Sequence, residues 1–261
     1  MQKIQYDVRV VCFVDILGFK QKINNSDSTQ IKNILEKFEK FVDNSCYKTK
    51  QVTQFSDSIV FSFKYDEPSC LFHSMIDLLL LSINLVENDT LIRGAFKIGE
   101  LYHDDKYIFG PALVDAYQME EYVEYPCIAI EKKVIDLCSN FSSNPYGCDV
   151  VDGKRVINKK RATLKEERSY INSMLCFKRI KKKRLNIIDY VHYDTLVKVA
   201  GIEPDEYPSY MVNLKRIIEN GLLSKDKKVI KKYVWLKNTY NDAIDDYNDK
   251  IRDGIKLLRI V

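Results

Sequence analysis

Over the first half of the sequence, short apolar runs typical of strands alternate with segments in which apolar residues recur at the spacing of a helix. β-Branched apolar runs bounded by polar residues are typical of buried strands, and apolar residues spaced three and four apart are typical of helices packed on a sheet. The predicted order is β-α-β-β-α-β-α-β. The predicted elements are a strand at 8–16, a helix at 30–42, strands at 52–55 and 59–63, a helix from Pro68 to about 86, a strand at 91–101, a helix from Gly110 to about 122 and a strand at 127–130.

The second half of the chain has a weaker pattern. The simplest packing of the whole order is an α+β fold in which helices cover one sheet. We expect residues 1–195 to form the main domain and residues 196–261 to form a C-terminal helical extension packed on it. The elements predicted here are a loop at 140–158, a strand at 185–191 and two long helices at 209–222 and 224–246.

Composition narrows the class of protein. The chain has 261 residues with 46% apolar content, which is enough to bury a core, and a net charge of only +4, which gives no strong case for nucleic acid or membrane binding. The longest strongly apolar run, 75–86, contains Asp77 and Asn84 and is too short to span a bilayer. Seven scattered cysteines without a C-x-x-C pair argue against a zinc site and a disulfide framework. We therefore expect a cytoplasmic protein with reduced thiols.

Two aspartates lie in apolar surroundings. Asp15 is at the end of an apolar strand, and Asp57 is at the tip of a predicted hairpin. A carboxylate among apolar residues is costly unless it is paired or bound to a metal ion. If the two strands are neighbours, the carboxylates can converge and hold magnesium-like ions, which prefer oxygen ligands. The ordinary alternatives are Asp57 as a turn residue and Asp15 as a cap or salt-bridge partner.

Four ordered motifs resemble those of the class III nucleotidyl cyclases. Segments 13–19 (FVDILGF) and 54–61 (QFSDSIVF) are similar to their two metal motifs, 92–100 (IRGAFKIGE) to the following glycine-bearing strand, and 108–120 (IFGPALVDAYQME) to the helix that carries their transition-state residues. The resemblance covers roughly residues 8–135. It implies a ferredoxin-like palm core with C-terminal helices, in which the main domain is catalytic.

The closer likeness is to the pyrimidine cyclases of the bacterial Pycsar antiphage system. The hairpin sequence FSDS, the helix start GPA and segment 232–241 (KYVWLKNTYN) carry that likeness. It implies a uridylate cyclase that converts UTP to cyclic UMP and pyrophosphate, or a cytidylate cyclase that makes cyclic CMP from CTP. It also implies a homodimer with shared active sites, two Mn²⁺ or Mg²⁺ ions per site, and a separate effector protein activated by the cyclic nucleotide.

The resemblance assigns roles at the metal end of the site. Asp15 and Asp57 become side-chain metal ligands, and the Ile16 carbonyl becomes a backbone ligand. Gly18 and Phe19 would offer backbone N–H groups to the phosphates, as a glycine between a strand and a helix allows. Taken alone, a glycine at such a junction is a weak signal.

The chain departs from the family on the transition-state helix. Val114 and Gln118 stand where the family has an Asn and an Arg, and neither can do the same work. Arg93 or Lys97 would then supply the missing cation from the adjacent strand, although either could equally form a surface salt bridge.

The base-reading positions also differ. Thr53 and Tyr107 stand where adenine-selective members have Lys and Asp, so both purine-reading residues are missing. Thr and Tyr can hydrogen-bond to either uracil or cytosine. UTP is the preferred expectation.

Two other classes stay open. The first is a catalytically inactive cyclase-like dimer that binds a nucleotide or partner and signals through its conformation. The missing Asn and Arg favour this class, and the two retained aspartates oppose it. A palm-type polymerase shares the logic of two carboxylates, but the helix that follows Gly110 opposes it.

Overall fold

The structure is a computed structural model that describes residues 5–42, 47–141, 147–151, 154–158, 164–251 and 256–261. Its strands, in chain order, are β1 (Asp7–Ile16), β2 (Gln51–Phe55), β3 (Ser58–Lys64), β4 (Ile92–His103), β5 (Ile108–Phe109), β6 (Ile128–Ile130), β7 (Gly147–Val151), β8 (Lys154–Asn158), β9 (Leu175–Ile180) and β10 (Lys183–Ile188).

The helices surround one large sheet. None of those described is both long enough and apolar enough to cross a bilayer. In chain order they are α1 (Phe19–Asn25), α2 (Ser28–Val42), α3 (Cys70–Val86), α4 (Pro111–Val123), α5 (Lys132–Cys138), α6 (Leu164–Ser173), α7 (Tyr193–Lys198), α8 (Tyr207–Leu222) and α9 (Lys227–Lys250).

The main sheet has the strand order β2-β3-β1-β4-β6-β10-β9, with β5 paired to β4. Strand β3 is antiparallel to both β1 and β2, so β1 and β2 run in the same direction with β3 inserted between them. Strand β4 pairs antiparallel with the other edge of β1. This is the split β-α-β arrangement of ferredoxin-like sheets, and the predicted α+β fold is confirmed.

The two faces of β1 have different environments because successive side chains of a strand point to opposite sides. Val10 and Val14 lie in the main core, beneath buried side chains of α2 and α3. Val11 and Phe13 lie on the opposite face, against Ala112 of α4. The odd-numbered face of β1, which also carries Asp15, is therefore the face that α4 covers.

The entry into α4 depends on a glycine. Gly110 has φ 145°, a conformation that favours glycine. A Cβ atom there would lie 2.8 Å from the Glu100 carbonyl oxygen of β4. Pro111 then occupies the first turn of the helix, where no backbone donor is needed. The chain can thus turn back sharply and lay α4 across β1 and β4.

The predicted order of elements over residues 8–130 is confirmed, with three differences in detail, one of which is the additional short strand β5 between β4 and α4. Helix α3 begins at Cys70, after Ser69 in a left-handed conformation, and not at Pro68. A short additional helix, α1, directly follows β1. The prediction of a loop over 140–158 was wrong for 147–151 and 154–158, where β7 and β8 form an antiparallel pair, while 142–146 and 152–153 lie outside the described residues. These short strands lack the long apolar alternation that identifies a strand in a sequence.

The C-terminal helices share the main core. Ile217 of α8 and Leu236 of α9 belong to the same buried cluster as Val10 of β1. Helix α7 spans the proposed boundary at 195, so the division into a main domain and an extension stays a prediction.

Candidate metal and nucleotide site

The sheet brings Asp15 and Asp57 together. Asp15, near the end of β1, is opposite Ser58 of β3, and the Ile16 N–H donates to the Asp57 carbonyl oxygen at 3.1 Å. Partial burial raises the pKa of Asp57, and the charge of Asp15 and a hydrogen bond between the two carboxyl groups raise that pKa further. The two groups therefore form one acidic pair at the hairpin tip.

Asp15 is also held by neighbouring side chains. The Ser58 hydroxyl donates to Asp15 Oδ1 at 3.0 Å. Arg93 donates to Asp15 Oδ2 from Nη2 at 2.9 Å and from Nε at 3.2 Å. Arg93 is opposite Asp15 in the pairing of β1 with β4, and the next residue, Gly94, has room for no side chain because a Cβ atom would lie 2.5 Å from the Phe13 carbonyl oxygen. This close approach of the two strands aligns the guanidinium with the carboxylate.

Glu120 of α4 is the second carboxylate next to Arg93. Its Oε1 atom lies 2.5 Å from Arg93 Nε, and its side chain is 1% exposed. Burial raises the pKa of Glu120 to about 7, against the opposing effect of Arg93. Arg93 therefore bridges a candidate metal ligand and a buried acid. The sequence reasoning did not assign a role to Glu120, although the residue ends the fourth motif.

Lys232 of α9 approaches the same charges from the C-terminal part of the chain. Burial lowers its pKa, as does the nearby charge of Arg93, while Glu120 and Asp15 act in the opposite direction. The helix is held there because Trp235 stacks on Tyr125, with ring centroids 5.0 Å apart. No local pattern linked Lys232 to the site, because only the tertiary packing of α9 brings it there.

The acidic pair fits a divalent cation of the magnesium type. Such ions accept one or two carboxylates and take their remaining oxygen ligands from water and substrate phosphates. In the part of the chain that the structure describes, no group of three or more His, Cys, Asp or Glu side chains could hold a metal ion. Asp15 and Asp57 would thus share the ions with a substrate, and the Ile16 carbonyl stays a predicted third protein ligand.

The junction between β1 and α1 exposes backbone donors. Gly18 is left-handed, with φ 74°, and precedes the first helical residue, Phe19. The N–H of Leu17 donates to the Leu91 carbonyl oxygen at 2.9 Å. The next two N–H groups, those of Gly18 and Phe19, donate to no backbone carbonyl among the described residues. They are the groups that the sequence predicts to bind phosphate.

Lys97 is not part of this cluster. It lies four residues after Arg93 on β4, roughly 13 Å along the strand. Its Nζ atom pairs with Glu131 Oε1 at 3.1 Å. The two candidate cations of the strand therefore have different surroundings, and only Arg93 contacts Asp15.

Thr53, a predicted base-reading residue, belongs to a buried polar chain on the same face of the sheet. The Thr53 hydroxyl lies 2.8 Å from His103 Nε2, and the Ser62 hydroxyl lies 2.8 Å from His103 Nδ1. Arg9 Nε donates to Ser62 Oγ at 2.8 Å. Burial and the charge of Arg9 lower the pKa of His103 to about 4, so its ring is neutral near pH 7.

Tyr107, the other predicted base-reading residue, lies in the turn that joins β4 to β5. Asp104 Oδ1 accepts the Tyr107 N–H at 2.7 Å and orders this turn. The Tyr107 side chain is 53% exposed. On α4, Val114 and Gln118 are exposed, so neither position of the expected Asn and Arg contributes to the buried cluster.

Comparison with solved structures shows remote likeness to nucleotidyl cyclases. A bacterial light-regulated adenylyl cyclase is 14% identical, with a TM-score of 0.41 over 64% of this chain and 58% of that chain, so the present chain spans less than two thirds of its length. The adenylyl cyclase CyaB from P. aeruginosa is 13% identical, with a TM-score of 0.41 over 71% of this chain and 95% of that chain. An adenylate/guanylate cyclase/hydrolase from Silicibacter pomeroyi is 14% identical, with a TM-score of 0.42 over 59% and 95%. No family model and no curated protein matches the chain.

Proposed function

We propose that the protein is a nucleotidyl cyclase that closes a pyrimidine ribonucleoside triphosphate into its 3′,5′-cyclic monophosphate. The observation that carries the proposal is the acidic pair of Asp15 and Asp57, which converges at the edge of a ferredoxin-like sheet with the pKa of Asp57 raised. The four ordered motifs over residues 13–120 support the same chemistry.

The reaction joins the ribose 3′-oxygen to the α-phosphorus, breaks the bond to the β-phosphate and releases pyrophosphate and the hydroxyl proton. Asp15 and Asp57 would hold two Mn²⁺ or Mg²⁺ ions, which acidify the 3′-hydroxyl and neutralise the phosphates when bound. The N–H groups of Gly18 and Phe19 orient the phosphates, and Arg93 is the cation closest to the acidic pair. Positioning and charge of this kind account for most of the catalysis of phosphoryl transfer.

Arg93 has to change partners in this scheme. Its guanidinium group donates a hydrogen bond to Asp15 Oδ2 and also contacts the carboxyl group of Glu120. If Asp15 held metal ions, Arg93 would release this carboxylate and keep its contact with Glu120, from where its charge could face the substrate phosphates. Arg93 therefore replaces, from the strand, the charge that Gln118 on the helix lacks.

The substrate is proposed to be UTP, with CTP as the alternative. His103 lies between Thr53 and Tyr107. It contacts Thr53, and it is opposite Ile108, the residue after Tyr107, in the pairing of β4 with β5. The side chains of Thr53 and Tyr107 can both hydrogen-bond to a pyrimidine edge. The cyclic UMP would activate a separate effector protein in antiphage defence, as the resemblance implies.

The active form is proposed to be a cytoplasmic homodimer with shared sites. Several large apolar side chains are exposed beside the acidic pair, at the hairpin and on α4. Phe55 is 52% exposed, Val114 53% and Tyr117 46%, and the Tyr117 ring packs edge-on against Phe13 of β1 at 5.5 Å. Exposed apolar groups next to a polar site are typical of interaction surfaces, and a two-fold dimer would bury the same patch on both copies.

The test is to incubate purified dimeric protein with each of the four ribonucleoside triphosphates and Mn²⁺, and to identify the products by mass. We expect a cyclic pyrimidine nucleotide and pyrophosphate, with cyclic UMP as the main product. A cyclic purine product would refute the pyrimidine assignment, and no cyclic product from any substrate would refute the cyclase.

The second candidate is an inactive, nucleotide-binding module. The ion pair of Arg93 with both Asp15 and Glu120 favours it, because the pair partly compensates Asp15 without any metal ion. Binding of UTP to protein that makes no product, measured by calorimetry, would support this candidate over the cyclase.

A further inference from the structure

The buried chain of hydrogen bonds from Arg9 through Ser62 and His103 to Thr53 has a defined donor-to-acceptor direction, because each member has a defined hydrogen-bonding capacity. It begins at Arg9, which is 5% exposed and donates from Nε to Ser62 Oγ at 2.8 Å and from Nη2 to the Ser62 carbonyl oxygen at 3.2 Å. An arginine side chain has donors and no acceptor. The Ser62 hydroxyl oxygen therefore accepts in its contact with Arg9.

Ser62 must place its own proton elsewhere. Its side chain is fully buried, and its remaining side-chain contact within the described residues is His103 Nδ1 at 2.8 Å. A buried hydroxyl proton without an acceptor is costly, so Ser62 donates to Nδ1. Nδ1 is then the acceptor nitrogen of the ring.

The tautomer of His103 follows from this contact. The ring is neutral near pH 7, because it is buried and lies near Arg9, while Asp104 opposes this effect only weakly. A neutral imidazole with an acceptor at Nδ1 carries its proton on Nε2. Nε2 therefore donates to Thr53 Oγ1 at 2.8 Å.

Thr53 is the last member of this chain of hydrogen bonds, and it is half-buried whereas the other three members are buried. Its oxygen accepts from His103, and its own proton has no acceptor among the described residues. We propose that the chain Arg9–Ser62–His103–Thr53 fixes the Thr53 hydroxyl as a donor toward the base, and that this direction selects uracil over cytosine.

The selection follows from the base edges. Uracil presents a carbonyl oxygen at position 4, which accepts a hydrogen bond, whereas cytosine presents an amino group there, which donates one. The Thr53 hydroxyl can donate its proton to the first. Toward the second it could only accept with its remaining lone pair, which would leave its own proton without an acceptor. The inference rests on the proposed function in that Thr53 faces the base, and it adds Arg9, Ser62 and His103 as positioning residues.

The first test measures the tautomer and needs no activity. The ¹⁵N chemical shifts of the His103 ring at pH 7 distinguish a proton on Nε2 from one on Nδ1. We expect the Nε2–H form in the intact protein and a mixture of both forms in Ser62→Ala, which removes the donor to Nδ1. An Nδ1–H ring in the intact protein would overturn the inference, whatever reaction the protein catalyses.

The second test measures selectivity in competition between UTP and CTP. Thr53→Val removes the hydroxyl at nearly constant shape, and we expect the UTP:CTP ratio of kcat/KM to fall by roughly tenfold, the size of one neutral hydrogen bond. Ser62→Ala should lower the ratio in the same direction. The matched control is Thr239→Val, because among the described residues the Thr239 hydroxyl donates to the carbonyl of Trp235 in its own helix; the UTP:CTP ratio of this variant should not change. An unchanged ratio in Thr53→Val, or a preference for CTP in the intact protein, would overturn the inference.

A third arm separates the inference from the proposed function. If the intact protein makes no cyclic product, the cyclase is refuted, and binding of UTP and CTP is compared by calorimetry with Ca²⁺ in place of Mn²⁺. Tighter binding of UTP that is lost in Thr53→Val would support the inference without catalysis. Equal binding of the two nucleotides, or no binding of either, would overturn it.

Discussion

The two ends of the candidate site lie on one face of one sheet but are built on opposite electrostatic principles. At the end proposed to bind metal ions, the metal end, Asp15 and Asp57 lie close together, and the charge of Asp15 makes ionisation of Asp57 harder. At the base end, His103 is uncharged and both of its ring nitrogens have partners. The metal end collects charged side chains of both signs, whereas the base end is a hydrogen-bond network in which one proton, that of Thr53, has no acceptor among the described residues.

Under the proposed function, this difference accounts for what each end would bind. Two neighbouring carboxylates favour a bound cation, and the protein supplies one cation itself, the guanidinium of Arg93. A satisfied network favours a rigid geometry, which is what discrimination between similar bases requires. Variants at the metal end should therefore change the rate of reaction, and variants at the base end should change the choice of substrate.

The largest expected effect is the loss of the acidic pair. Asp57→Asn should reduce turnover on the order of 10³-fold, because the site loses a charged ligand for the cations that stabilise the transition state. The protein should stay folded, since the variant also removes the repulsion between Asp57 and Asp15. Mass analysis of products and thermal unfolding measure the two effects. Asp66→Asn, in the exposed turn after β3, is the control and should retain full turnover.

The two cations of β4 should differ in importance. Arg93→Met removes the side chain that contacts both Asp15 and Glu120, and turnover should fall on the order of 10²-fold. Lys97→Met breaks a pair with Glu131 and should have a clearly smaller effect on turnover. Steady-state kinetics on both variants makes the comparison. An equal loss in the two variants would contradict the assignment of Arg93 as the cation nearest the acidic pair.

Stability against pH should change in opposite directions at the two ends. His103 has a folded pKa of about 4, so between pH 4 and 6.5 the unfolded chain binds more protons, and stability rises with pH by up to about 3 kcal/mol. Glu120 has a folded pKa of about 7, so between pH 4.5 and 7 the folded chain binds more protons, and stability falls as pH rises. Arg9 and Asp104 are the charges facing His103 and keep their state in this window.

Urea unfolding at several pH values tests this opposition. In His103→Asn the rise from pH 4 to 6.5 should disappear, and the fall due to Glu120 should become visible. In Glu120→Gln the rise should become steeper. Glu167, whose pKa burial also raises to about 7, contributes a fall in both variants and in the intact protein alike. If the free energy of unfolding changed with pH in the same way in both variants, the opposite contributions of His103 and Glu120 would be contradicted.

The smallest expected effect is stabilisation by the metal ion alone. Mn²⁺ at 100 times its dissociation constant should stabilise the folded protein by about 2.7 kcal/mol, which is a rise of several degrees in Tm. Asp57→Asn should remove most of this rise, whereas His103→Asn should retain it, because the latter change lies at the base end. Loss of the Mn²⁺ effect in both variants would mean that the ends are not separate.

Sequence reasoning found the parts of the site that local patterns encode. Asp15 and Asp57 each stand out within a few residues of apolar sequence, and the β-α-β-β-α-β order that makes their strands neighbours has a clear periodicity. The partners of these residues come from the pairing of strands far apart in sequence. Arg93 is 78 residues from Asp15, and His103 is 41 residues from Ser62. Such contacts depend on which distant strands pair and in what alignment, and the residues around each position do not show this pairing.

The packing of α9 has a consequence for how the site forms during synthesis. The four motifs, which end at Glu120, leave the ribosome more than one hundred residues before Trp235. Until α9 stacks on Tyr125, the carboxyl groups of Glu120 and Asp15 lack the neighbouring positive charge of Lys232. The same helix anchors the segment at Ile260, since Asn241 exchanges two hydrogen bonds with Ile260, at 2.8 and 3.0 Å. Non-local contacts of this kind form late in folding. The nascent palm should therefore acquire its charge balance only after α9 has been synthesised and has packed on Tyr125.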